Sequence, residues 1–333
     1  MLQLARPRPH LNRPGSDVDV AARTDDTHRE ILGFLPLDMF DLSDLEPAVD
    51  QLMAMLTSAP VELPASVAIE DHHVPAADGH EIMVRIYRPR AAGATSPCLY
   101  WIHGGGLVLG NVSMDDARCA EVSEQLNIVV ASVEYRLAPA FKYPVPLEDC
   151  YAGLQWLARS CDGLGLDATR IAIGGGSAGA GLAASLALLA RDRGEVHPCF
   201  QLLRYPMLDD RNTTASSYEL TDHRVWNRSA NVVGWSAYLG DAAGSDDVSP
   251  YAAAARATDL AGLPPAIISV GELDMFLDED IEYARRLIAA GVSTELHVYA
   301  KCIHGSDALV PHSTTVQRWK RDEMDALNRA LNE

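Results

Sequence analysis

Apolar and polar positions along this chain follow two rhythms. Short runs rich in β-branched and aromatic residues occur at SVAIEDHHV, IMVRIYRP, CLYWIH, IVVASVEYR, RIAIG, FQLLRYP, PAIISVG and TELHVYA. Their length and composition predict eight strands. From the third onward they are mostly separated by segments with apolar residues at helical spacing: MDDARCAEVSEQL, LEDCYAGLQWLARS, SAGAGLAASLALLARDR and DEDIEYARRLIAAG, the last closed by Gly291. Strand and helix in alternation predict a mainly parallel sheet covered on both faces, an α/β fold. The first two strands are joined by PAADGH, whose Asp-Gly turn predicts an antiparallel pair at the start of the sheet.

Two stretches break the alternation. Residues 1–65 carry helical patterns such as LEPAVDQLMAMLTS and no strand, and residues 209–245 form a polar and aromatic insertion after the sixth strand. Together they are expected to form a cap over a catalytic domain made of residues 66–208 and 246–333, with the first ~25 residues mobile.

Composition narrows the class. With 333 residues, 48% of them hydrophobic, the chain can bury one large core or two modest ones. The 27 Lys and Arg face 46 Asp and Glu, a net charge of −19, which argues against a phosphate-backbone partner and against an anionic membrane surface. Six cysteines are scattered without a C-x-x-C pair, which predicts buried free thiols and a reducing, cytoplasmic compartment rather than disulfides or a zinc site. The first residues hold no apolar run long enough for a signal peptide, and no later segment reaches transmembrane length.

Against that background, RIAIGGGSAGAGLAA places Ser177 between the fifth strand and its helix, in the pattern Gly175-x-Ser177-x-Gly179. In a nucleophile elbow the serine takes a strained conformation that lifts its hydroxyl above the sheet, and small neighbours avoid collision with the adjoining strand and helix. The helix beginning at Ala178 aims its free N–H groups at any negative charge developing there. The pattern alone is modest support, since composition would produce it in roughly one chain in ten of this length. A phosphate-binding reading is also available, because the same glycines contain a G-x-G-x-x-G overlap. However, they follow the fifth strand and no lysine is near.

A second motif is rarer. His103-Gly104-Gly105-Gly106 follows the strand CLYWI, and composition would give HGGG in only about three chains per thousand. Such a loop supplies backbone N–H groups to the oxyanion of a tetrahedral intermediate. Gly104, Gly105 and Ala178 are the expected donors, with His103 holding the loop rather than acting as a base. A serine hydroxyl also needs a histidine base and a carboxylate to orient it, in the chain order Ser, acid, His. Asp274, just past the seventh strand, is the expected acid, with Glu272 and Asp278 as rivals; His304, just past the eighth, is the expected base, with His312 as its alternative.

The blocks HGGG, VEYRLAP, YPVPLEDCYAGLQWL, RIAIGGGSAGAGLAA, YPMLDD, GELDMFLDEDIEYARRLIAAGV and CIHG, in this order over residues 70–330, resemble the hormone-sensitive-lipase-like esterases of the α/β-hydrolases. The resemblance implies an eight-stranded, mostly parallel sheet with a helical cap, and a serine carboxylesterase that hydrolyses small to medium esters through an acyl-enzyme. It implies Ser177, Asp274 and His304 as triad, Gly104, Gly105 and Ala178 as oxyanion hole, no cofactor or metal, and often a homodimer. Amidase, deacetylase or acyltransferase chemistry would use the same machinery. A ligand receptor on the same fold, as in the plant gibberellin receptors, would lack the histidine.

The chain departs from the family pattern at Leu107, where an aromatic is usual, at Gly176, where Asp is common, at Ala140 for Glu, at Met275-Phe276 for Pro-Leu and at Ser306 for Phe. Leu107 and Ser306 remove aromatic bulk. With Gly176 and Phe276 they are expected to border a reshaped substrate pocket. Phe34 and Trp226, with Met39, Phe40, Trp235 and Tyr238, are expected either at its entrance or packed between cap and scaffold.

Overall fold

The computed structural model describes residues 18–57, 63–91, 93 and 95–333. Eight strands form one sheet: β1 (Val67–Pro75), β2 (Glu81–Pro89), β3 (Ser96–Ile102), β4 (Val129–Glu134), β5 (Leu166–Gly176), β6 (Phe200–Arg204), β7 (Ala266–Leu273) and β8 (Thr294–Ile303). Their spatial order is β1-β2-β4-β3-β5-β6-β7-β8. The first two strands pair antiparallel across the Asp-Gly turn, β2 joins β4 antiparallel, and every later pair is parallel. Each predicted strand is therefore present.

The sheet centre shows why the strand sequences read as continuous apolar runs. All seven residues of β3 are buried; Cys98, Tyr100 and Ile102 join a core with the helices Val145–Arg159 and Ala178–Arg193. Leu99 and Trp101 point to the opposite face, against Ala120 and Val122 and against Ala326, Leu327 and Leu331 of the C-terminal helix Thr314–Asn332. The two-residue period of a strand sends alternate side chains to two covered faces, so no position needs to be polar. The helix Ala178–Arg193 is buried from Ala178 to Ala190, and its small residues let it lie close under β5 and β6. All six cysteines are free thiols; Cys199 is half-buried and the others are buried. No helix among the described residues is long and apolar enough to cross a membrane.

Residues 18–57 carry the helices Val20–Arg23, Asp26–Phe34 and Leu45–Leu56, and the stretch after β6 carries Ala215–Glu219 and Arg228–Leu239. The two segments meet through the N–H of Phe40, which donates to the His223 carbonyl at 2.8 Å, and that of Val18, which donates to the Glu219 carbonyl at 3.2 Å. Of the first ~25 residues expected to be mobile, 1–17 lie outside the described residues, whereas Val20 is anchored in the core.

The helix Leu277–Ala289 buries two carboxyls, Glu279 and Asp280. Glu279 accepts the N–H groups of Leu208 and Asp209; neither oxygen of Asp280 has a hydrogen-bond partner among the described residues. Burial first, then the neighbouring carboxylates Glu279 and Asp274, hold the Asp280 carboxyl well above its usual range. The folded state therefore keeps a proton that the unfolded chain releases above pH ~4, so this group costs increasing stability as pH rises through that range. Asp280→Asn is expected to raise the unfolding free energy at pH 8 by at least about 1 kcal/mol and to change it little at pH 4. Urea titrations at the two pH values measure this, and equal effects at both would count against it.

Candidate active site

Ser177 is the first residue after β5 and has φ 56° and ψ −121°. That backbone conformation is strained for a residue with a side chain and persists only because the surroundings fix it. Its N–H donates to the Arg204 carbonyl at 2.9 Å, and its own carbonyl accepts from Gly181 and Met207 at 3.0 and 3.1 Å. Gly179 is required by close approach: a Cβ there would lie 2.1 Å from the Ile102 carbonyl oxygen and 2.5 Å from that of His103. Elbow, helix and the end of β3 are locked together at van der Waals distance.

Ser177 Oγ lies 3.0 Å from His304 Nε2, and His304 Nδ1 lies 2.8 Å from Asp274 Oδ2. With the Nδ1 proton donated to Asp274, the Nε2 lone pair faces the serine hydroxyl. Asp274, buried just past β7, also accepts the Phe276 N–H at 3.0 Å through its other oxygen. His304 follows β8 and is held between the rings of Tyr205, at 4.5 Å between centroids, and Phe276, at 5.3 Å. The rivals are engaged elsewhere. Glu272 accepts the Lys301 N–H and pairs with Arg23, while Asp278 accepts the Ser216 N–H.

The glycine loop after β3 faces the elbow. Gly105 has φ 116°, and a Cβ there would collide with the Leu109 carbonyl at 2.0 Å, so only glycine fits this turn. Among the described residues, none of the N–H groups of Gly104, Gly105 and Ala178 donates to a backbone carbonyl. His103 is buried, stacks on Tyr135 at 4.2 Å and contacts the Gly104 carbonyl through Nδ1 at 2.8 Å. Burial lowers its pKa, and among the described residues neither ring nitrogen hydrogen-bonds to Ser177. It is a support of the loop.

Ser177, His304, Gly104, Gly105, Gly176 and Trp226 border one cavity of about 340 Å³, at the carboxyl ends of the parallel strands. Four residues expected there lie elsewhere. Leu107, at φ 70°, turns its side chain into the core beneath the loop. Phe276 is fully buried against His304, behind the catalytic face. Ser306 is buried with its hydroxyl bonded to His28 and to the Ile303 backbone. Phe34, at the end of its helix, is 78% exposed. Trp235 and Tyr238 belong to the core, whereas Phe40 borders the cavity and packs edge-on against Trp226 at 5.8 Å.

Charged residues not anticipated from the sequence form one wall: Asp115, Arg204 and Asp307. Arg204, buried at the end of β6, donates to both oxygens of Glu323 and, at 2.6 Å, to Asp307. Glu323 also accepts from Ser269, Trp319 and Arg118. The signal was legible in FQLLRYP, where an arginine ends a strand that must be buried on both faces and therefore requires a carboxylate partner.

The sheet order, the elbow at Ser177 and the convergence of hydroxyl, imidazole and carboxylate define a serine hydrolase of the α/β-hydrolase fold. The sequence model of the α/β hydrolase fold family matches residues 99–307, and the chain belongs to it, among the hormone-sensitive-lipase-like esterases. Carboxylesterase NlhH of Mycobacterium tuberculosis is 35% identical over 278 residues, covering 83% of this chain and 86% of the relative. Esterase LipI of the same species is 37% identical over 226 residues, covering 67% and 70%. Among solved structures, a bacterial heroin esterase superposes with a TM-score of 0.87 at 40% identity, covering 94% of this chain and 99% of that one.

Proposed function

We propose that this carboxylic ester hydrolase works through an acyl-enzyme on Ser177, with His304 as general base and acid and Asp274 orienting the imidazole. The supporting observation is the unbroken chain from Ser177 Oγ to His304 Nε2 and from His304 Nδ1 to Asp274, opening on the cavity. Ser177 Oγ attacks the ester carbonyl carbon as its proton passes to Nε2. The resulting oxyanion accepts from the N–H groups of Gly104, Gly105 and Ala178, a role supported by their donating to no backbone carbonyl among the described residues. Nε2 then returns the proton to the leaving alcohol oxygen as the C–O bond breaks, and a water repeats the cycle on the acyl-enzyme.

A cavity of about 340 Å³ suits small to medium esters. The segments 18–57 and 209–245 serve as its cap, with Phe40, Leu56 and Trp226 at the mouth, over a catalytic domain of residues 66–208 and 246–333. Six free thiols fit a reducing, cytoplasmic setting. Hydrolysis of p-nitrophenyl esters of increasing acyl length tests the reading. kcat/KM is expected to peak at short to medium chains, and no turnover of any of them overturns it. In the same assay Gly179→Ala is expected to lose about a hundred-fold or more in kcat/KM, because its Cβ must push the elbow off the end of β3.

A further inference from the structure

The wall that carries Asp115 holds more negative than positive charge. Arg204 and Arg118 are two cations, and Glu323 and Asp307 are the two anions they face: Arg204 donates to both, and Arg118 lies 2.9 Å from Glu323 and 3.6 Å from Asp307. Asp115 stands outside that balance. One of its oxygens accepts the Trp101 Nε1–H at 2.8 Å; the other has no hydrogen-bond partner, and no Lys or Arg nitrogen lies within ion-pair distance of either, among the described residues. Its neighbour Asp116 is taken by Arg85 and Tyr87. Burial pushes the Asp115 carboxyl up to about 6, with Asp307 and Asp116 adding to the rise and Trp101 and Arg204 opposing it. A carboxylate in that condition gains from a cation brought into the cavity.

The rest of the lining suits such a cation. The rings of Tyr205, Trp226 and Phe40 border the same space, and aromatic rings beside a carboxylate are the surroundings that recognise alkylammonium groups, whereas the Trp101 ring already faces the guanidinium groups of Arg118 and Arg204 at 5.1 and 5.9 Å. The net charge of −19 draws cations toward the molecule and repels anions. Arg204 does not offset this, since its guanidinium is 2% exposed and already faces two carboxylates.

We propose that Asp115 is a specificity-determining residue and that the preferred substrates are esters carrying an alkylammonium group on their alcohol or acyl side. The proposal rests on the reading of this cavity as the ester-binding site. Two substrate pairs test it on the intact protein. The first is acetylcholine against its uncharged carbon isostere, in which tert-butyl replaces trimethylammonium. The second is the p-nitrophenyl ester of a trimethylammonio-butanoate against its tert-butyl isostere.

In at least one pair the cationic ester is expected to exceed the neutral one in kcat/KM by about ten-fold. That ratio is expected to fall to about one in Asp115→Asn, whose amide oxygen can still accept from Trp101. The pair that responds identifies the side of the ester bond that carries the charge. Ratios at or below one in both wild-type pairs, or a ratio that survives Asp115→Asn, overturn the proposal. Turnover of neither neutral ester is a distinct failure, because it takes down the ester-hydrolase reading as well. If Asp115→Asn does not fold, inhibition of wild-type p-nitrophenyl acetate hydrolysis decides: choline stronger than its carbon isostere supports the proposal, and the reverse or equality overturns it.

Discussion

Ser177→Ala is expected to lower kcat by about 10⁴- to 10⁶-fold and to leave the fold intact. The lost oxygen makes one side-chain hydrogen bond, to His304, whereas the elbow itself is held by backbone bonds to Arg204, Gly181 and Met207 that alanine keeps. His304→Ala should cost a similar factor, since an unactivated hydroxyl is a poor nucleophile. The double variant should be little worse than either single one, because the groups act as a unit. Single-turnover kinetics with p-nitrophenyl acetate, alongside thermal unfolding, measure all three. Losses that multiply in the double variant would mean that Ser177 and His304 work independently, contrary to their 3.0 Å contact.

The second large effect falls on stability. Glu323→Ala is expected to cost about 3–5 kcal/mol, the range for breaking a buried ion pair from one side. Glu323 lies at the centre of the network and accepts from Arg204, Arg118, Ser269 and Trp319. Its removal leaves Arg204 buried with Asp307 as its remaining anionic partner, joining β6 to the turn after His304. The same change should reduce turnover, since Arg204, Tyr205 and Asp307 all border the cavity and Tyr205 packs against His304. Urea unfolding at neutral pH gives the number. A cost below about 1 kcal/mol would show that the cluster is solvated enough to dispense with one anion.

The parts of the site that the sequence made legible are those fixed by local chain geometry. Ser177 was readable because the elbow needs glycines at fixed offsets. Asp274 and His304 were readable because both follow strands whose ends the architecture brings to one edge. The cavity walls were not readable in this way. Asp115, Arg204, Asp307 and Leu56 reach them from four separate segments, and whether each faces the cavity depends on turns that periodicity does not specify. Leu107 illustrates the difficulty: it directly follows the glycine loop, yet its positive φ sends the side chain into the core. Ser306, two residues from His304, is withdrawn by its bonds to His28 and the Ile303 backbone. The strand-and-helix rhythm also did not extend to the C-terminal helix, whose Val316, Trp319, Glu323 and Leu327 recur at three- and four-residue spacing on its buried face.

Covalent labelling tests the convergence of Ser177, His304 and Asp274 most directly. A fluorophosphonate reacts with an activated serine hydroxyl, and proteolysis with mass spectrometry locates the adduct. One adduct per chain on the peptide containing Ser177 is predicted, strongly slowed in His304→Ala and absent from Ser177→Ala. Labelling of a different serine, or equal rates in wild type and His304→Ala, would contradict the account.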